Sequence, residues 1–169
     1  GEESAAVIEM DEPTVSLRPM TEDEFTEWRP RSIESFALDL AHAMNRPLEA
    51  ARVRAQTQFD EELPGGVNTP GTWLLLILDE DNVGVGTLWI GPHPQRQGVA
   101  YVYDVEIQEA ARRRGYGRAA MLLAEGLVRS AGIKELGLSV FGFNDSARRL
   151  YDSIGYRVLA TQMTKLLAA

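Results

Sequence analysis

A glycine-rich turn between a strand-like and a helix-like segment constrains the fold of this chain more than any other feature. The turn has the sequence RRRGYGR at residues 112–118, after an apolar-alternating stretch at residues 101–107. A turn that enters a helix leaves several backbone N–H groups without intrahelical acceptors, and the helix dipole adds positive charge there. Four arginines surround these donors, which is more charge than a neutral ligand needs. The turn therefore predicts a site for a polyphosphate.

Composition limits the other possibilities. A length of 169 residues with 44% apolar and 25% charged residues is ordinary for one globular domain. The chain has no cysteine, which excludes disulfides, thiolate nucleophiles and cysteine-based metal sites. Its two histidines, His42 and His93, are too few and too far apart for a metal site. No apolar run approaches the roughly 20 residues that span a bilayer, so we expect a cytoplasmic protein without a membrane partner.

The net charge of −8 hides an uneven distribution along the chain. Residues 1–62 hold 15 acidic and 6 basic side chains, whereas residues 111–169 hold 4 acidic and 10 basic ones. A basic C-terminal part suits a phosphate-bearing ligand, and an acidic N-terminal part suits a cationic partner. The basic residues cluster at one turn and form no stripe, which argues against nucleic acid as a partner.

Hydrophobic periodicity predicts the order of the secondary-structure elements. A capping box at Thr21 and Glu24 opens a long helical region in which Pro30 either bends the helix or starts a second piece. The predicted helices are residues 22–44, 47–63, 119–131 and 144–153, with Gly132 as the C-terminal cap of the third. The predicted strands are residues 15–18, 73–78, 83–90, 99–107, 136–141, 156–159 and 162–166. This order predicts an α/β (α+β) fold in which helices cover a mixed sheet.

The turn also fits the dinucleotide-binding pattern G-x-G-x-x-A, with Glu135 as a candidate ribose ligand. Two features argue against that interpretation. In the dinucleotide-binding fold the glycines follow a strand almost directly, but here seven residues separate Ile107 from Gly115. The motif also falls late in the chain, whereas it should open the first βα unit. A dinucleotide-dependent oxidoreductase is therefore the weaker alternative.

Two motifs together resemble the GCN5-related N-acetyltransferases (GNAT). The first is R-x-x-G-x-G from Arg112, five residues beyond the end of a strand, which is similar to the acyl-CoA signature of that family. The second is N-x-x-A-x-x-L-Y at residues 144–151, preceded by a strand and followed by Gly155 and Tyr156. Two motifs in this order and at this separation are specific. The resemblance is carried by residues 99–166, and the predicted element order extends it to Val15.

The resemblance implies a mostly antiparallel sheet of six to seven strands, with a splayed central pair of parallel strands. It also implies acetyl-CoA as cosubstrate, with no metal. The amides of the turn would hold the pyrophosphate, and the end of the preceding strand would pair with the pantetheine arm. Asn144 would bind near that arm, or it would only cap its helix. The implied cofactor-binding residues are Val105, Ile107, Arg112, Arg113, Arg114, Gly115, Tyr116, Gly117, Arg118 and Asn144.

Acyl transfer to an amine requires a base for the amine and benefits from an acid for the departing thiolate. The resemblance gives the acid role to Tyr151, whose other interpretation is packing of the short helix. Glu106 and Asp104 are two apart on the cofactor strand, hence on one face, and are the candidate bases. A salt bridge to an arginine explains either carboxylate equally well. Tyr101 and Tyr103 are predicted on the opposite face.

We therefore expect an acyl-CoA-dependent N-acyltransferase of GNAT type, most simply acetyl-specific, that acts on a primary amine by direct attack. The amine acceptor is expected to be a cationic small molecule or peptide. A CoA-binding module without turnover, on the same fold, is the alternative. Residues 13–169 are predicted to form a single N-acetyltransferase domain after a flexible arm or added remnant at residues 1–12. The sequence leaves a homodimer open.

Overall fold

A computed structural model gives the fold and describes residues 12–168. These residues divide into two compact units, one up to residue 139 and one from residue 140 onward. The predicted N-terminal arm lies outside the described residues, apart from Glu12.

The first unit contains strands and helices in the predicted order. Its strands are β1 (Ser16–Pro19), β2 (Trp73–Leu78), β3 (Gly84–Pro92), β4 (Ala100–Ile107) and β5 (Leu136–Leu138). Its α-helices are α1 (Glu22–Met44), α2 (Leu48–Glu62) and α3 (Tyr116–Ser130). Short 3₁₀ helices lie at Gly66–Asn68 and Glu109–Ala111.

The strands form one sheet in chain order, from β1 to β5. The neighbours from β1 to β4 pair antiparallel. The Asp79 carboxylate closes the β2–β3 hairpin by accepting from the N–H groups of Asp81 and Val83 at 2.9 and 3.0 Å. β4 and β5 pair in parallel, which requires a crossover connection, and α3 supplies it. The sheet is therefore mixed and mostly antiparallel, as the sequence predicts.

A capping box fixes the start of α1 as predicted. Thr21 Oγ1 accepts from the Glu24 N–H at 3.2 Å, and the Glu24 carboxylate accepts from the Thr21 N–H at 2.9 Å. Satisfying these end groups stabilises a helix by about 1 kcal/mol. Pro30 lies inside α1, and the helix continues through it to Met44 as one element.

An aromatic cluster holds α1 and α2 against the sheet. Trp28 of α1 and Phe59 of α2 meet Trp89 of β3, with ring centroids 5.8 and 4.9 Å from that of Trp89. Leu74 of β2 belongs to the same buried cluster. Burial of one large apolar side chain contributes about 1.5–3 kcal/mol. This core fixes the two helices against β3, next to β4.

The amphipathic helix α3 contacts β1 and β4. It buries a stripe formed by Ala120, Met121, Ala124 and Val128. This spacing places the four side chains on one side of a 3.6-residue helix. After the helix ends, Gly132 adopts a φ of 84°, as expected for the predicted glycine at the C-terminal end. The packed stripe holds the N-terminus of α3 near the end of β4.

The second unit contains the helix α4 (Asp145–Ser153) and a C-terminal segment without assigned strands. The strands predicted at residues 156–159 and 162–166 are therefore wrong, as is the total of six to seven, because the described residues form five strands. The side chains of Leu159, Met163 and Leu166 are 69%, 90% and 68% exposed. Alternating apolar residues give a strand one apolar face, but they do not supply a partner strand. A short pair of strands whose apolar face is not covered is only marginally stable. β5 also ends at Leu138, three residues before its predicted end.

Candidate active site

The glycine-rich turn enters α3 in a geometry that exposes backbone donors. Gly115 precedes the helix with a φ of 82°, a left-handed conformation that glycine adopts without strain. The first bond of the helix runs from the Ala119 N–H to the Gly115 carbonyl at 3.1 Å. The N–H groups of Tyr116, Gly117 and Arg118 therefore precede any intrahelical acceptor, and no side chain caps them. This arrangement is suited to binding an anion.

The four arginines of the turn differ in what they contact. Arg112 turns back, and its Nε donates to the Ile107 carbonyl at 2.9 Å, which ties the turn to the end of β4. Arg118 forms an ion pair with Glu12. Arg113 and Arg114 are exposed to solvent. Among the contacts of the described residues, none engages the guanidinium groups of Arg113 and Arg114.

The last residues of β4 extend beyond its partner β5. The parallel pairing joins Ala100 to Leu136, Tyr101 to Gly137 and Val102 to Leu138. β4 then continues to Ile107 while it remains paired with β3 on its other edge. The two parallel strands are thus paired over three positions only. The predicted residues Val105 and Ile107 lie on the part of β4 that extends past β5.

A β-bulge changes which side chains of β4 face α1. Trp89 pairs with Asp104, but Ile90 pairs with Val102, so Tyr103 is an extra residue in β4. The Tyr103 ring stacks on Trp89 with centroids 4.6 Å apart, and the Asp104 carboxylate accepts from Ser32 of α1 at 3.1 Å. Tyr103 and Asp104 therefore both lie on the side of α1 and α2. The prediction that Tyr103 lies opposite Asp104 is wrong, because strict alternation fails at a bulge.

The carboxyl group of Asp104 lies in an environment that disfavours its charge. Most of the side chain is enclosed by protein atoms, although part of it remains accessible. Burial, with smaller contributions from the charges of Glu106 and Asp39, raises the pKa of Asp104 to about 7, although the hydrogen bond from Ser32 lowers it in part. A carboxyl group in this state exchanges a proton near neutral pH. Such groups are concentrated at functional sites.

We predict that Asp104→Asn raises the melting temperature at pH 8 and has little effect at pH 4. Because the pKa in the folded state, about 7, exceeds the ordinary value of 3.8, the folded protein binds this proton more tightly than the unfolded chain. The free energy of unfolding therefore falls as pH rises from about 4 to 7, and asparagine removes that loss. Thermal denaturation of both proteins at the two pH values measures the effect. An equal change in melting temperature at both values would contradict the raised pKa.

Two tyrosines of β4 make hydrogen bonds that the sequence does not reveal. The Tyr103 hydroxyl lies 3.0 Å from Glu62 Oε2 and 2.6 Å from the Pro92 carbonyl, both of which can accept its proton. Burial and the charge of Glu62 raise the pKa of Tyr103. The Tyr101 hydroxyl donates to Ser139. Both tyrosine side chains are thereby held in place, and the centroids of their rings lie 4.9 Å apart.

Ser32 and Glu62 are neighbours of the site that no pattern in the sequence predicts. Each lies on a helix far along the chain from β4, and neither belongs to a motif. Glu106, the other candidate base, is exposed on β4. Glu135, the ribose ligand in the dinucleotide interpretation, forms an ion pair with Arg96. That contact engages the carboxylate that a dinucleotide would need.

The second unit holds the two remaining candidates. Asn144 caps α4 by accepting from the Ala147 N–H at 3.1 Å. Tyr151 is buried, with 8% of its surface exposed, and its ring meets that of Tyr156 at a centroid distance of 5.7 Å. The capping role of Asn144 and the packing role of Tyr151 are thus both present, and their roles toward a ligand stay predictions.

Known proteins identify the group to which this architecture belongs. The sequence profile of the acetyltransferase (GNAT) family matches residues 19–156. The chain belongs to the GNAT family. The uncharacterized N-acetyltransferase YycN of Bacillus subtilis strain 168 is 32% identical over 157 residues, which cover 91% of this chain and 99% of that protein. The crystal structure of YycN aligns with a TM-score of 0.85 at 30% identity, over 92% of this chain and 100% of that one.

A further relative matches a shorter part of the chain. The mycothiol acetyltransferase of Rhodococcus jostii strain RHA1 is 29% identical over 118 residues, which cover 68% of this chain and 36% of that protein. Together with YycN, these matches show that the GNAT chain is an acetyltransferase. Among residues 12–168, no group of three or more acidic or histidine side chains could hold a metal ion. No helix in that range is long and apolar enough to cross a membrane.

Proposed function

We propose that this GNAT protein transfers an acetyl group from acetyl-CoA to a primary amine, with Asp104 as the general base. The observation that carries the proposal is the combination of two features in one unit. The N-terminus of α3 presents three backbone N–H donors. In the same unit, β4 continues past the residues that pair with β5, so this edge of β4 has no partner strand there. A diphosphate and an extended, amide-containing arm have the chemistry to bind these two features.

The turn suits a diphosphate on physical grounds. Gly115 has no side chain to separate a phosphate from the N–H groups of Tyr116, Gly117 and Arg118. Arg113 and Arg114 add positive charge. Arg118 would exchange its ion pair with Glu12 for the ligand, whereas Arg112 would act through the turn that it ties to Ile107. The N–H and carbonyl groups of Val105 and Ile107 would bind the pantetheine amides.

The base must accept a proton from an amine whose pKa is about 10 in water. Asp104 supports this role because a base is most effective when its pKa lies near the working pH, and burial raises that of Asp104 to about 7. Glu106 supports the role of Asp104 through its charge, which raises the same pKa. The sequence is also compatible with a salt bridge between Asp104 and an arginine. Among the described contacts, the Asp104 carboxylate instead accepts a hydrogen bond from Ser32.

The proposed reaction has two steps. The amine attacks the thioester carbonyl as its proton passes to Asp104, and a backbone N–H on β4 stabilises the oxyanion. The tetrahedral intermediate then collapses, the carbon–sulfur bond breaks, and the sulfur accepts a proton from Tyr151. The role of Tyr151 rests on its place in the second motif. Asn144 is proposed to bind the cosubstrate near the pantetheine arm, also from that motif.

We predict that Tyr151→Phe lowers kcat roughly 10- to 100-fold and leaves the Kd for acetyl-CoA unchanged. The reason is that a thiolate, with an ordinary pKa of about 8.5, still leaves without help near neutral pH, but more slowly. Release of free thiol in the presence of an amine measures kcat, and calorimetry measures Kd. Tyr156→Phe is the matched control, since the two rings pack together.

The same experiment separates the proposal from its alternative. A CoA-binding module would bind acetyl-CoA but release no thiol with any amine, in the wild-type protein as in the variant. The wild-type protein is therefore screened first against polyamines, amino acids, peptides and aminoglycosides. The acidic residues 1–62 favour a cationic acceptor from this panel. We propose that residues 13–169 act together in this reaction as one N-acetyltransferase domain.

A further inference from the structure

Ser32 is a polar side chain in a mostly apolar part of the fold. It lies on α1, is 4% exposed, and follows the same helix face as Trp28. Its hydroxyl donates to Asp104 Oδ2 at 3.1 Å, across 72 positions of sequence. A buried hydroxyl without a partner is costly, so the bond fixes both side chains relative to each other. Ser32 thus connects the helix layer to the carboxylate of β4.

The other groups around Asp104 raise the pKa of its carboxyl group, whereas Ser32 lowers it. Glu106 on β4 and Asp39 on α1 both carry negative charge, and both favour the protonated carboxyl group, as does burial. The Ser32 hydroxyl favours the ionised form, because a carboxylate is the stronger acceptor. It also engages Oδ2, so Oδ1 is the oxygen available to a ligand. One side chain thus affects both the charge and the orientation of Asp104.

We propose that Ser32 is a positioning residue that favours the ionised form of Asp104 and orients its carboxylate to accept the proton of the amine. This inference rests on the proposed function, in which Asp104 is the base. No bond to Ser32 forms or breaks during the reaction, since the serine proton stays on its oxygen. Ser32 lies on α1, in the helix layer, and belongs to neither of the two sequence motifs.

The first test follows the titration of Asp104 in the free protein. Carbon-13 NMR of the aspartate carboxyl groups, with Asp104→Asn for assignment, is recorded between pH 4 and 10. Ser32→Ala is expected to move the Asp104 midpoint upward by about one pH unit, since a hydrogen bond to a charged group is lost. Ser32→Cys keeps the volume but is a weak donor, so it should shift in the same direction. Ser35→Ala, on the same helix, is the control and should leave the midpoint unchanged.

The second test follows the pH profile of acetyl transfer. The acid limb of kcat/KM in Ser32→Ala should move upward by the same amount as the NMR midpoint, whereas Ser35→Ala should match the wild type. An unchanged midpoint in both Ser32 variants would overturn the positioning role. The titration needs no substrate, so it decides that role even if the wild-type protein acetylates no amine, a result that would overturn the proposed function instead. A shifted midpoint with an unshifted pH profile would show that Asp104 is not the base.

Discussion

Asp104→Asn is expected to lower kcat/KM for acetyl transfer about 1000-fold at pH 7.5. General base catalysis contributes roughly 10²–10⁴-fold, and the amide keeps the shape and the Ser32 contact but cannot accept the proton. The Kd for acetyl-CoA should stay within about twofold of the wild type, because no cosubstrate contact is assigned to this side chain. Steady-state thiol release and calorimetry give the two quantities.

Glu106→Gln is the matched control for that variant. It removes a carboxylate two residues away on the same strand, and its expected loss of kcat/KM is small. It should also move the acid limb of the pH profile downward, since the charge of Glu106 raises the pKa of Asp104. If Glu106→Gln lost activity while Asp104→Asn kept it, the base would be Glu106 and our assignment would be wrong.

Gly115→Val is expected to weaken acetyl-CoA binding more than 100-fold. At a φ of 82° a β-branched residue is strained, and a Cβ there would lie 3.2 Å from Pro13 Cδ, which is too close for an ordinary contact. Relief of this contact and of the strain would move the turn, so its N–H groups would no longer align on the diphosphate and most of the charge-assisted hydrogen bonds would be lost. Calorimetric titration at a temperature where the variant is folded measures the loss.

Gly132→Val separates that steric effect from backbone strain. Gly132 has a φ of 84° at the opposite end of α3, and a Cβ at this position would meet no atom of a non-adjacent residue within 4 Å. Both variants should lose stability through the same backbone strain. We predict that only Gly115→Val loses affinity for acetyl-CoA. Equal binding by the two variants would mean that the turn does not hold the cosubstrate.

Elements defined by local chemistry could be predicted from the sequence. The capping box at Thr21 and Glu24 starts α1, and the strand at residues 73–78 has the predicted bounds. Gly132 follows α3 with a left-handed backbone conformation, as predicted for a glycine at the C-terminal end of a helix. In each case the deciding contacts lie within a few residues of one another, so composition and spacing report them directly.

Contacts between distant segments could not be predicted in this way. The bulge at Tyr103 depends on how β3 and β4 pair, and no single residue marks it. The bond from Ser32 to Asp104 requires α1 to cross β4, which a motif cannot show. The C-terminal alternation predicted two strands, but strand formation requires a neighbour that the pattern does not encode. Neither the bulge at Tyr103 nor the contact from Ser32 could be predicted from the sequence, and both determine the surroundings of Asp104.

The proposed function depends above all on the turn of α3 holding the diphosphate of coenzyme A. Calorimetric titration of the wild-type protein with acetyl-CoA and with S-acetylpantetheine, which lacks the diphosphate, tests this most directly. We predict that acetyl-CoA binds and that S-acetylpantetheine binds more than 100-fold more weakly, with an affinity for acetyl-CoA that falls as salt rises. Equal affinity for the two ligands, or no binding of acetyl-CoA, would contradict the account.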